Sequence, residues 1–313
     1  MRGGVAAAEL LEDRGEAAVS DHFFRSRPFL DAEGATHTLR IETGDGELLA
    51  PLLVRTIGDG PERDAISPYG YPGLVETPAS TEAFDPAAID FSATDLVSVF
   101  LRHTLGSPPL AGASERNVVQ IADPALPPKS RPTDRRQVRR NLEEGYELVL
   151  VPGSETTPAQ RAGFLDLYEQ TMRRAGAADH YFFGAAYFDR VLEADRTWLA
   201  LAHAPGGELA AASLAAVSDG YLHYYLSGSA DSHLSDSPMK NVVNRLVEHS
   251  AELDLPLNLG GGISPGDALE EFKRGFANRE QPWLTSEIVC DQGKYATLSA
   301  GRSPGAFFPL YRS

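Results

Sequence analysis

Pro256-Leu257-Asn258-Leu259-Gly260-Gly261-Gly262-Ile263-Ser264-Pro265-Gly266-Asp267-Ala268-Leu269-Glu270-Glu271-Phe272-Lys273-Arg274-Gly275-Phe276 is the stretch from which the rest of the chain is read. Leu257 and Leu259 alternate with polar neighbours, as at the end of a short buried strand. Gly260, Gly261 and Gly262 follow at once. Consecutive glycines cost backbone entropy, so they signal unusual φ angles or a close approach to another group. Asp267 stands at an N-cap position, with Glu270 and Glu271 in the first turn of the helix it opens. Leu269, Phe272, Lys273 and Phe276 recur at spacings of three and four and are expected on one helical face. A lysine beside two phenylalanines admits two readings. Its stem packs on the rings while the amine reaches water, or the cation is fixed at a cleft to meet an oxyanion or phosphate. The residues alone leave both open.

The whole chain has 313 residues, enough for two domains with a core in each. It is 42% hydrophobic and 23% charged, a soluble globular composition. No apolar run is long enough to span a bilayer. Glu9, Glu12 and Asp13 near the start argue against a signal peptide. Cys290 is the single cysteine, which excludes an internal disulfide or multi-cysteine metal site and points to the cytosol. The eight histidines show no metal-ligand spacing, so no metal is expected. The net charge of −16 makes the chain a poor general binder of nucleic acid. Against that background Lys129, Arg131, Arg135, Arg136, Arg139 and Arg140 form a basic run opposed only by Asp134. It is either a solvated helix start or a site for a phosphorylated ligand.

Working outward, Thr38 to Ile41 and Leu48 to Val54 read as strands joined at Gly44-Asp45-Gly46. Asp64 to Gly73, with two prolines and two glycines, is expected to be a rigid, non-helical segment that puts Tyr69 and Tyr71 either on a domain edge or in a ligand wall. Ser92 to His103 is expected to be a helix and Asn117 to Ile121 a strand. A proline-rich linker over 123–133 divides domains 1–130 and 131–313, with the last residues free to pack back on the first. Beyond it come a helix from Arg135 to Gly145, a strand from Tyr146, a helix from Ala159 to Ala175, and an aromatic cluster from Tyr181 to Phe188 expected in the core. Three antiparallel strands follow, Thr197 to His203, Glu208 to Ser218 and Tyr221 to Leu226. Tyr225 and Ser227, where the last strand enters a polar loop, are candidate substrate contacts. Lys240 sits in the first turn of the next helix, whose N-terminus suits an anion.

This order of strands and helices, given in full after residue 131 and more thinly before it, is that of an N-acetyltransferase-type (GNAT) acyltransferase. Ser67 to Tyr71, Arg135 to Asn141, Leu167-Tyr168 with Met172, Leu259 to Gly262, and Asp267 with Leu269 and Phe272-Lys273-x-x-Phe276 resemble the Fem family of non-ribosomal peptidyl transferases. Those enzymes move an amino acid from aminoacyl-tRNA onto an amine. The resemblance runs from about residue 35 to 290. It implies an α/β fold of two tandem GNAT-like domains, each a mixed sheet flanked by helices. The two-helix coiled-coil arm of longer members has no counterpart here.

By that resemblance Lys273 is the lysine used near the reacting ester, and Phe272 the aromatic that supports it. Gly260, Gly261, Gly262, Tyr69, Tyr71, Tyr225 and Ser227 are assigned to the substrate. Arg135, Arg136, Arg139, Arg140 and Lys240 are assigned to tRNA or phosphate. Asp267 is a candidate general base as well as an N-cap. The closing Phe307-Phe308-Pro309-Leu310-Tyr311-Arg312 is similar to short relatives that aminoacylate a small amine in antibiotic pathways. The expected donor is aminoacyl-tRNA and the expected acceptor a small-molecule amine, with no resident cofactor, no membrane partner and a cytoplasmic monomer. An acyl-CoA N-acyltransferase is the alternative. Its pyrophosphate loop is not visible after Leu226, where Ser-Gly-Ser-Ala-Asp-Ser follows. A peptidoglycan-precursor peptidyl transferase is the second alternative.

Overall fold

The structure is a computed structural model that describes residues 6–44, 46–78, 83–106, 109–303, 305 and 307–313. Its elements run β1 (Ala6–Leu11), α1 (Arg27–Glu33), β2 (His37–Thr43), β3 (Gly46–Thr56), β4 (Arg63–Ile66), β5 (Val75–Thr77), β6 (Ile89–Asp90), β7 (Leu96–Arg102) and β8 (Ser114–Ala122). They continue with α2 (Pro132–Glu143), β9 (Glu147–Pro152), α3 (Pro158–Ala175), α4 (Ala185–Val191), β10 (Thr197–His203), β11 (Leu209–Ser218) and β12 (Tyr221–Ser229). The remainder is α5 (Met239–Glu252), β13 (Leu257–Gly260), α6 (Ala268–Arg274), β14 (Arg279–Val289) and α7 (Gln292–Leu298).

Two compact units result: Met1–Arg116 with Pro282–Ser313, and Asn117–Gln281. The sequence places the division near residue 130, and the structure places it earlier. Strand pairing explains the difference. In β8, Gln120, Ile121 and Ala122 already bond to β13. At the other end, Thr285 to Val289 of β14 bond to β7, which draws the end of the chain into the first unit.

The first unit carries the strand order β6-β1-β2-β3-β4-β7-β14, with β5 on β3. The expected hairpin is β2–β3, in register from His37↔Leu52 to Thr43↔Gly46; Asp45 in its turn lies outside the described residues. Leu39, Ile41, Leu48, Ala50, Leu52, Val99, Leu101 and Ile288 form its core. The helix expected over Ser92 to His103 is a strand, β7. The run Leu96-Val97-Ser98-Val99 is buried on both faces, between β4 and β14. A continuous apolar run looks alike in a buried helix and a central strand, and here the β-branched valines favour the strand.

The second unit carries β8-β13-β12-β11-β10-β9. Helix α5 lays Val242, Val243 and Leu246 against Ala200, Ala211, Ala215, Leu222 and Leu257. Helix α3 begins in a capping box, with Thr157 and Gln160 exchanging side-chain and backbone bonds, and ends at Gly176 in the left-handed region. It packs directly on β12: a side chain at Gly228 would collide with the backbone of Leu167 and Tyr168. Of the aromatic cluster, Tyr187 and Phe188 are buried, whereas Phe182 is exposed.

Candidate functional site

The second unit brings the opening stretch to the end of its one parallel strand pair. Strand β12 meets β13 only at Leu222↔Leu257 and His223↔Asn258. Beyond that point β12 runs on to Ser229, while β13 stops at Gly260. On its other side β13 pairs with β8 through Asn258↔Ile121 and Gly260↔Gln120, leaving Leu259 as the extra residue of a bulge.

Each glycine of the triplet has its own constraint. Gly260 has φ 76°, the left-handed region, and a Cβ there would lie 3.1 Å from the Lys273 amine. A Cβ on Gly261 would lie 2.5 Å from Asn117 Nδ2, and one on Gly262 2.5 Å from Asp267 Oδ1. Gly261 and Gly262 therefore leave no room for a Cβ, while Gly260 is required by its left-handed φ.

Asp267 closes the loop. Its Oδ1 accepts from the Glu270 amide at 2.8 Å, and its Oδ2 from the amides of Ile263 (2.7 Å) and Ser264 (2.9 Å). These bonds, the Glu270 amide foremost and then Ser264, hold its carboxyl below the usual range. Asn117 Nδ2 binds the Gly262 carbonyl at 2.9 Å from the β8 side. Ile263, at the tip, is 83% exposed.

Lys273 is 8% exposed. Its Nζ donates to the Gly261 carbonyl at 2.6 Å, and among the described residues that is its one hydrogen-bond acceptor. Burial brings its pKa down to about 8, an effect only partly offset by the Asp267 carboxylate. A snorkelling lysine would keep its amine in water, and this one does not. Phe272 is half-buried against the core, with its ring 5.7 Å from that of Phe276. The apolar face is not the full set expected: Leu269 is exposed and Glu270 is buried, bonded to the Gly266 amide and paired with Arg274.

Tyr225 is the bulged residue of β12, left over between Leu214↔Leu226 and Ala215↔Tyr224, and its hydroxyl lies 2.7 Å from that of Tyr187. Ser227 Oγ is 2.6 Å from the Tyr224 hydroxyl, whose pKa burial pushes up to about 12. Tyr69 and Tyr71 belong to the first unit. There the Tyr69 amide donates to Glu33 at 2.7 Å, and the Tyr71 ring packs edge-on against Phe24 and Trp283.

On α2 the buried positions are Asp134, Val138 and Asn141, which leaves Arg135, Arg136, Arg139 and Arg140 on the outer face. Arg140 pairs with Glu144 at 2.8 Å and Arg135 bonds to Ser130, while Arg136 and Arg139 have no ion-pair partner among the described residues. Lys240 is held by Asp134 at 2.9 Å. The start of α2 also touches the helix that carries Lys273: the Arg131 amide donates to the Gly275 carbonyl, and its guanidinium pairs with Glu271 at 2.7 Å.

Residues missed in the sequence are Asn117, His223 and Asn258. Asn258 left a signal as the polar residue between Leu257 and Leu259. Asn117 and His223 left none, because their partners lie far along the chain. Among the described residues no group of His, Cys, Asp and Glu is placed to hold a metal, and no helix is long and apolar enough to cross a membrane.

Residues 128–274 match the family model described as Acetyltransferase (GNAT) domain. No curated protein sequence matches the chain. Among solved structures the chain is similar to FemX, with a TM-score of 0.64 and 11% identity over 92% of this chain and 99% of that one. It is similar to L-PGS from Bacillus licheniformis, with a TM-score of 0.58 and 12% identity over 90% and 92%. It is also similar to the C-terminal domain of a putative lysylphosphatidylglycerol synthetase from Agrobacterium fabrum, with a TM-score of 0.57 and 15% identity over 90% and 92%. The chain thus has the Fem-type, GNAT-like fold that the sequence resemblance implies, built as a mixed α/β protein.

Proposed function

We propose that this acyltransferase moves an amino acid from aminoacyl-tRNA onto the amine of a small-molecule acceptor, forming an amide. The observation that carries the reading is the Lys273 ammonium, buried and tied to a single carbonyl. Two of its three N–H donors are left for a group that arrives with the substrate.

The acceptor nitrogen attacks the ester carbonyl carbon and a C–N bond forms. The carbonyl electrons move to oxygen, giving a tetrahedral oxyanion. Lys273 faces that oxyanion, and in a water-poor setting such a donor contributes about 3 kcal/mol to the transition state. The C–O bond to the ribose then breaks, and the departing ribose oxygen takes the proton from nitrogen. Asp267 is not needed as a base in this scheme, since three backbone amides occupy it. Phe272, packed with Phe276 on the core, would anchor the helix that presents Lys273. The outer face of α2, with Arg136 and Arg139, offers a charged track for the donor's phosphates that leads toward α6.

The match to a GNAT acetyltransferase model favours a second reading, an acyl-CoA N-acyltransferase. One experiment separates them. The protein is incubated with amines and either charged tRNA, with and without RNase, or acetyl-CoA. RNase-sensitive amide formation supports the first reading. RNase-resistant acylation with CoA release overturns it in favour of the second.

A further inference from the structure

We infer that His223 and Asn258 are positioning residues for Lys273, forming a buried polar chain that sets where the Gly261 carbonyl, and with it the ammonium, is held. The inference rests on the reading of Lys273 given above. The chain starts at the Ser218 carbonyl, which lies 3.2 Å from His223 Nε2. His223 Nδ1 is 3.0 Å from Asn258 Nδ2, and Asn258 Oδ1 accepts from the Gly260 amide at 2.8 Å. The next carbonyl along, that of Gly261, is the acceptor of Lys273 Nζ.

Donor and acceptor roles in this chain have one consistent assignment. A carbonyl can only accept, so Nε2 carries the ring proton and Nδ1 is bare. A bare Nδ1 needs the NH2 of Asn258, which turns the amide oxygen toward the Gly260 N–H. Flipping Asn258 would set oxygen against the bare nitrogen and NH2 against an N–H. Both side chains are fully enclosed, His223 on β12 and Asn258 on β13, at the last register position the two strands share. Burial keeps the imidazole neutral, with a pKa near 4, so this state persists at neutral pH. The left-handed turn at Gly260 is therefore clamped from one side by Asn258 and from the other by Asn117 on Gly262.

The test reads the lysine itself. The chain has four lysines, Lys129, Lys240, Lys273 and Lys294. Acetic anhydride labelling with peptide mass spectrometry therefore reports Lys273 against the half-exposed Lys294 in one molecule. In His223→Leu and Asn258→Ala, labelling of Lys273 relative to Lys294 rises about tenfold, as expected when a buried hydrogen bond that restrains local opening is lost. His223→Gln, which can accept from Asn258 and donate to Ser218, keeps the unaltered rate. Equal labelling in all four proteins overturns the inference. So does a His223→Gln rate as high as that of His223→Leu, because volume rather than hydrogen bonding would then be what matters.

A measurement on the unaltered protein stands apart from any folding defect. The Gly260 amide should exchange about a thousandfold more slowly than in a free peptide, and fast exchange there also overturns the inference. In the transferase assay His223→Leu and Asn258→Ala lower kcat with KM unchanged, while His223→Gln keeps the unaltered kcat. If Lys273 labelling responds as stated but no acyl donor yields product, the polar chain stands and the reading of Lys273 as the cation at the reacting carbonyl falls.

Discussion

An ammonium kept out of water costs the fold, and Lys273 states how much. Its pKa falls from the usual 10.5 to about 8, a difference worth about 3 kcal/mol between the charged and neutral forms. Below pH 8 the folded protein bears that cost in full. Between about 8 and 10.5 the folded chain has released a proton that the unfolded chain still holds, so stability rises with pH across that window. Lys273→Met removes the cost. At pH 7 it should lower kcat about a hundredfold while raising Tm by a few degrees, and its denaturant stability should lack the rise above pH 8. A variant that loses activity and stability together would mean that the lysine is part of the packing. On the proposed reading, in which Lys273 meets the oxyanion in its charged form, kcat of the unaltered protein should fall as pH passes about 8.

At the scale of the element, α6 and the loop before it work as one piece. The helix is short, so its position comes from its anchors: Asp267 at the N-cap, Glu270 on the Gly266 amide, and Arg131 reaching Glu271. Asp267 is therefore expected to behave as a cap. Asp267→Asn keeps one accepting oxygen but sets its NH2 against an amide N–H on the other side, so it should retain more of kcat and stability than Asp267→Ala without matching the unaltered protein. Asp267→Ala should cost about 1 kcal/mol in urea unfolding and lower kcat by displacing Gly261. If Asp267→Asn lost activity as severely as Lys273→Met, and far more than Asp267→Ala loses stability, the carboxylate would be moving a proton. Gly261 allows no similar choice, since any Cβ meets Asn117.

For the whole molecule, charge distribution and buried histidines set the response to solvent. An overall charge of −16 repels polyanions, so the proposed RNA donor would have to bind through a local patch. Replacing Arg136 and Arg139 with glutamine should weaken tRNA binding and reduce the slope of log affinity against log salt by about 1 per arginine, with acceptor KM unchanged. An unaltered salt slope removes α2 from the donor site. His103 in the first unit and His223 in the second are both buried, and burial lowers each pKa to about 4. As pH falls from 6.5 toward 4 the unfolded chain takes up protons that the folded chain refuses, so stability falls through that window. Each histidine contributes on the order of 3 kcal/mol at its acid end. Melting curves between pH 7 and 4 should show the loss, and His223→Gln should show a shallower one.

Local information sufficed for much of this. The Asp267 cap, the α3 helix, the β2–β3 hairpin, and the strand–glycine–helix order around Lys273 follow from short-range backbone preferences, which the residues carry wherever they are placed. The Fem resemblance came from the same strings. Tertiary structure decided the rest. Whether Leu96 to Arg102 was helix or strand depended on β4 and β14 flanking it, and where the units divide depended on β14 returning to β7. Above all, a lysine beside two phenylalanines reads the same whether its amine lies in water or under a loop. Only the approach of Gly261 and the removal of solvent made Lys273 a dry cation, because desolvation is a property of everything packed around a group and of no residue alone.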